Sequence, residues 1–129
     1  MPANKKGDRY ERKLVNALTE DGWFAERAAA SGGGGDHELP DVIAAKNGRI
    51  EVIELKYISS PPAYVSPEKV EGLVWLANHL EGTPRLSLRM KGDTSYYCIH
   101  PQHVRQTEEA GNYVLDDSIL TDAIVIAEA

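Results

Sequence analysis

The dipeptide Asn47-Gly48 constrains this chain more than any other feature. It sits at the centre of the run Pro40-Asp-Val-Ile-Ala-Ala-Lys-Asn-Gly-Arg-Ile-Glu-Val-Ile-Glu-Leu-Lys56, between two apolar stretches rich in β-branched residues. Asn-Gly in that setting is the strongest short-range signal for a two-residue hairpin loop, because both turn positions need a positive φ. With Lys46 paired to Arg49, the register counts back through 45 with 50 and 43 with 52 to 41 with 54. Asp41 and Glu54 then oppose each other on one face, with Cβ atoms roughly 5 Å apart. Strand side chains alternate, so Lys56 joins them on that face. Opposed carboxylates destabilise a sheet unless something positive lies between them, and a divalent metal is the natural guest. Two readings stay open. A surface hairpin would point both acids at solvent, with Lys56 neutralising them. Acids at the edge of a covered face are more often functional. Val52, which shares the acid face, favours covering, while Ile53, Leu55 and Tyr57 make the opposite face apolar.

The chain of 129 residues is long enough for one domain with a single core, and its 42% apolar and 26% charged content is that of a soluble globular protein. No apolar run approaches a membrane span and no charged-then-apolar N-terminal segment suggests a secretory signal, so no membrane partner is expected. Cys98 is alone, which excludes an internal disulfide framework and makes a reducing cytoplasm the simplest compartment. His100 would share a strand face with Cys98, but a strand-buried thiol is the favoured reading over a catalytic one. The net charge of −6 argues against a polyanionic partner until its distribution is considered. Residues 1–60 carry nine positive and ten negative charges, and 61–129 carry five and ten. The first thirteen residues hold Lys5, Lys6, Arg9, Arg12 and Lys13 against Asp8 and Glu11. One basic end can meet a polyanion.

Tyr10, Leu14, Ala17 and Leu18 follow the helical period and Gly22 is a natural stop, which predicts a helix over 8–21. Asp8 with Glu11 three residues on has the form of a capping box. Glu11 also shares the stripe of Leu14, Val15 and Leu18, which would aim it at the acid pair, and both readings stand. A short strand is predicted from Trp23 to Arg27. Residues 28–39 are small and glycine-rich, and serve either as a plain connection or as a loop bringing Ser31, Gly32 and backbone amides onto phosphate. The absence of Gly-Lys-Ser/Thr rejects a nucleotide-binding loop. His37 has no second His or Cys at ligand spacing. Ser66 is a good N-cap with Pro67 at the first helical position, opening a helix to about Leu80 whose apolar residues cover more than one face. One face would meet the sheet and another a second subunit. Strands are predicted at Arg85–Met90 and Ser95–Ile99, a polar stretch from Pro101 to Asn112, and a short apolar helix or strand over Ser118–Ala127. The order predicts an α/β fold, a mixed central sheet flanked by helices.

An Asp, a dozen residues, then Glu-x-Lys, with an upstream helical Glu, resembles the metal-site pattern of restriction-endonuclease-like nucleases. More of the chain narrows the likeness. Lys6-Gly-Asp-Arg-Tyr-Glu-Arg-Lys-Leu-Val15, Arg27-Ala-Ala-Ala-Ser-Gly32, Leu39-Pro-Asp-Val-Ile-Ala44, Lys46-Asn-Gly48, Tyr64-Val65 and Arg105-Gln-Thr-Glu-Glu-Ala-Gly-Asn-Tyr-Val114 resemble archaeal-type Holliday junction resolvases, in that family's order. The resemblance implies a homodimeric, Mg²⁺-dependent endonuclease of DNA recombination and repair, with Mn²⁺ as a substitute, that cuts four-way junction DNA by paired symmetric nicks. Asp41, Glu54 and the Leu55 carbonyl resemble its metal ligands, Lys56 its active-site lysine, and Glu11 its additional acid. Arg12 and Arg27 match basic residues at phosphates, Ser31 a catalytic-loop serine, and the basic N-terminus adds Lys5, Lys6 and Arg9. The four-glycine run followed by Asp36-His-Glu38 departs from the pattern, being acidic where a phosphate must pass. The competing readings are another DNA endonuclease of the same fold and a DNA-binding module without chemistry. Intact Asp41, Glu54 and Lys56 weigh against the second, which would gain by losing adjacent like charges.

Overall fold

In the computed structural model, residues 5–28 and 38–128 are described, with backbone alone at 5–7 and 128. The first helix, α1 (Lys5–Glu20), closes with paired C-terminal bonds: Trp23 N–H donates to the Leu18 carbonyl (2.9 Å) and Gly22 N–H to the Thr19 carbonyl (3.1 Å). That closure needs a positive φ at the residue past the helix, and Gly22 has φ +91°. Asp8 lies inside the helix rather than at its cap, so the predicted capping box does not form. Its carboxylate is taken instead by the guanidinium groups of Arg12 and Arg27, charge-assisted partners that a backbone N–H cannot match.

Strand β1 (Phe24–Arg27) leads to β2 (Val42–Lys46) and β3 (Arg49–Ile58). The hairpin has the anticipated register, Lys46 opposite Arg49 and Ile43 opposite Val52. Asn47 and Gly48 adopt φ +52° and +80°, the doubly left-handed turn whose twist matches its strands. After the short β4 (Ala63–Val65), helix α2 (Pro67–Leu80) starts where predicted, with Ser66 Oγ accepting from Lys69 N–H at 3.3 Å. It carries the chain to β5 (Thr83–Met90), which pairs in parallel with β3. β6 (Ser95–Ile99) and β8 (Ile124–Glu128) complete a six-stranded sheet of order β1-β2-β3-β5-β6-β8. β7 (Tyr113–Leu115) pairs with β4 in a separate two-stranded ribbon. The segment 118–127 is therefore neither one helix nor one strand: a 3₁₀ turn over Asp117–Thr121 precedes β8.

The sheet divides the core in two. Leu14 and Leu18 of α1 pack with Ile53, Leu55, Tyr96 and Cys98 on one face. Val70, Leu73 and Ala77 of α2 pack with Val52, Leu86, Leu88 and Ile99 on the other, with Ala63, Val65 and Leu115 of the ribbon closing over them. Strand β3 is thus buried on both faces, which explains its near-continuous apolar run. Glu51 interrupts it on the α1 face, where its carboxylate accepts from Arg49 Nε (2.9 Å) and Arg85 Nε (2.6 Å). Both buried oxygens are satisfied, as a buried charge requires. Cys98 is fully buried, its thiol 3.3 Å from Ser87 Oγ, and burial pushes its pKa up to about 12. It is a core residue rather than a nucleophile.

At Gly72, helix α2 closely approaches the segment that leads into β2. A Cβ there would overlap the Glu38 carbonyl oxygen. Glycine in a helix costs about 1 kcal/mol relative to alanine, but overpacking a tight contact costs about 1–3 kcal/mol, and backbone cannot rotate aside as a side chain does. Gly72→Ala is therefore expected to lower stability by about 1–2 kcal/mol, against the propensity trend, as a fall in Tm of several degrees.

Candidate active site

The register places Asp41 immediately before β2 and Glu54 in the middle of β3. Asp41 N–H donates to the Ile53 carbonyl (2.9 Å), continuing the ladder, and Asp41 Oδ2 accepts from Leu55 N–H at 2.7 Å. That side-chain bond ties Asp41 across the hairpin and orients its carboxylate beside Glu54. Glu54 is 3% exposed and lies under the N-terminus of α2. The two carboxyls come within hydrogen-bond reach of each other.

Burial disfavours the charged form of both groups. For Asp41 it outweighs the Leu55 N–H and the two nearby lysines, and the net shift is upward. Glu54 is pushed up to about 8, by burial first and by the Asp41 charge second, against the pull of Lys69 and Lys56. The pair thus binds a proton far more readily than two isolated carboxyls would. Lys56, half-buried two residues before the end of β3, lies opposite Leu88 on β5 and its charge reaches both acids.

Glu11 points from α1 towards the same region but is held by Arg27, whose Nε and Nη2 both donate to Oε1 at 3.2 Å. Its carboxyl is raised by burial first and the Asp41 charge second, with Arg27 pulling the other way. Arg27 also clamps Asp8, so one guanidinium from β1 gathers two acids of α1. Among the described residues no three Asp, Glu, His or Cys side chains form a metal-ready cluster: the structure brings Asp41 and Glu54 together and leaves Glu11 on Arg27. Arg12 pairs with Asp8 on the exposed side of α1, and Arg9 is exposed above the Tyr10 ring, 5.8 Å from its centroid. Lys5 and Lys6 lie in the first turn of α1. Ser31, Gly32 and His37 fall outside the described residues.

One residue at this site was not anticipated from the sequence. Lys69 Nζ of α2 lies 3.8 Å from Glu54 Oε2. The signal was present: a lysine in the first turn of a helix, where acids are favoured by the macrodipole.

The chemistry of this arrangement is that of hard oxygen donors with lysines at their rim, set in a sheet between two helices. Comparison with known proteins agrees. Residues 2–129 match the family model described as archaeal Holliday junction resolvase (Hjc). The chain is 36% identical over 117 residues to the crossover junction endodeoxyribonuclease Hjc of Sulfolobus acidocaldarius, covering 90% of this chain and 80% of that one. The Hjc of Archaeoglobus fulgidus is 30% identical over 123 residues, covering 95% and 88%. The solved structure of A. fulgidus Hjc, a Holliday junction resolvase from an archaeal hyperthermophile, superimposes with a TM-score of 0.82 at 28% identity, over 93% of this chain and 96% of that one. The chain belongs to the archaeal Holliday junction resolvase family.

Proposed function

We propose that this chain is a structure-selective endonuclease that resolves four-way DNA junctions by paired, symmetric hydrolysis of phosphodiester bonds. The observation that carries the reading is the opposition of Asp41 and Glu54 across the Asn47-Gly48 hairpin, with Lys56 on the same face, in a chain that matches a junction-resolving family along its whole length. Two buried carboxylates repelling each other are a poor resting arrangement and a good cation cradle, so the residues fit a divalent metal. We assign Asp41, Glu54 and the Leu55 carbonyl as its ligands and Mg²⁺ as the ion, with Mn²⁺ able to replace it. When bound, the ion lowers the pKa of water and offsets charge on the phosphate oxygens.

The remaining work falls to the chain. Lys56 carries a positive charge at the rim of the acid pair, where it orients the attacking water and stabilises the added negative charge of the transition state. Glu11 is available as a further acid once Arg27 turns to a phosphate, because a guanidinium exchanges one oxyanion for another readily. We assign Arg9, Arg12, Lys5 and Lys6 to contacts with the DNA backbone, which position DNA without reading its sequence. We assign Ser31 and Gly32 a role at the phosphate as well. A homodimer suits the two-fold symmetry of a four-way junction, since symmetric half-sites call for symmetric readers.

The direct test is an end-labelled four-way junction set beside a linear duplex of the same sequence, with Mg²⁺ or EDTA. Paired nicks in opposing strands of the junction alone are expected, lost in EDTA and reduced more than about 100-fold in Glu54→Gln, since even partners behind a ligand cost 10–100-fold. Equal cutting of the duplex would make the chain a general endonuclease, and binding without cutting a DNA-binding module.

The pH dependence of stability without metal tests the acid pair separately. Glu54 has a folded-state pKa of about 8, above its ordinary 4.5, so its contribution is complete below about pH 4.5 and is lost as pH rises through about 8. Melts in EDTA should fall across that window, by roughly a few kcal/mol at most. Glu54→Gln should flatten the decline, and saturating Mg²⁺ at pH 8 should restore stability to wild type but not to Asp41→Asn.

A further inference from the structure

Helix α2 delivers a second lysine to the acid pair from the side opposite the hairpin turn. Lys69 Nζ stands 3.8 Å from Glu54 Oε2, with the lysine side chain 37% exposed and the glutamate side chain 4% exposed. Its backbone N–H is already held by the Ser66 cap. A cation in this first turn opposes the helix macrodipole, which Glu68 next to it satisfies, so helix stability does not account for Lys69. Its target does. Of the two lysines acting on Asp41 and Glu54, Lys69 exerts the larger attraction on each.

The contact is also one that can be given up. At 3.8 Å it is an ion pair rather than a hydrogen bond, and it ends a flexible four-carbon stem that reaches solvent. An ammonium and a divalent ion cannot share one carboxylate oxygen closely, because their repulsion grows with the product of the charges.

We propose that Lys69 is an exchangeable counter-cation of the acid pair: it sits on Glu54 while the site holds no metal and leaves when a divalent ion takes Asp41 and Glu54. The inference rests on the acid pair being the metal site. Lys69 is then a positioning residue that keeps the metal-free site folded, and it does so by competing with the ion that replaces it.

The test is a set of melts and Mg²⁺ titrations by calorimetry, without DNA, on wild type, Lys69→Met and Lys69→Arg. Lys69→Met should melt below wild type in EDTA and close to it in saturating Mg²⁺, and should bind Mg²⁺ about tenfold more tightly, because the ion no longer has to displace a cation held 3.8 Å from Glu54. Lys69→Arg should follow wild type in both. A parallel loss of Tm with and without Mg²⁺, or Mg²⁺ affinity that is unchanged or weaker in Lys69→Met, would overturn the proposal while leaving the metal site standing. A wild-type melt indifferent to Mg²⁺ would overturn the metal site itself and Lys69's role with it.

Discussion

The backbone bond from Asp41 to Ile53 and the side-chain bond from Leu55 to Asp41 lock the register on which everything else in this protein depends. A slip of one residue between β2 and β3 would turn Glu54 onto the α1 face and Ile53 onto the α2 face, exchanging a charge for a core residue on both sides of the sheet. The turn at Asn47 and Gly48 resists that slip from one end, since its left-handed pair of residues can sit nowhere else in the ribbon. The Asp41 carboxylate resists it from the other. The carboxylate proposed as a metal ligand is therefore also a structural clasp.

Strand β3 holds two acids, three residues apart, and the sheet treats them oppositely. Glu51 faces α1 and is satisfied by two arginines at hydrogen-bond distance. Glu54 faces α2 and has a lysine at 3.8 Å and a second acid beside it. Both are buried, so burial alone does not mark a site; what marks it is incomplete neutralisation. Replacing the first with an apolar residue is the kind of change a core tolerates when its partners change too. The second has no apolar equivalent.

Local chemistry made the hairpin, the α2 cap and the two acids legible in the sequence, because each is specified within a few residues. The capping-box reading of Asp8 is not realised for the converse reason: the helix begins at Lys5, and Arg27, nineteen positions away and on another element, takes that carboxylate. The ribbon of β4 and β7 was not visible, since each strand has three residues and their partners are some fifty positions apart. β8 hid behind the polar turn at Asp116 to Asp122, which broke the apolar pattern. Lys69 was visible as a residue but not as a neighbour, because only the crossover geometry of α2 sets it over Glu54.

The two-sided burial of β3 has a mechanical consequence. Strands flanked on both edges and covered on both faces open only when the whole molecule unfolds, whereas edge strands and helix ends open readily. Asp41, Glu54 and Lys56 ride on or beside the innermost strand, while Arg27 is on the edge strand β1 and Arg9 and Arg12 lie in the first half of α1. The molecule thus divides into an unyielding anvil that fixes the acids and a compliant rim that carries the positive charge. A branched polyanion whose arms differ in angle from one encounter to the next can bend the rim to itself without disturbing the carboxylates proposed as metal ligands.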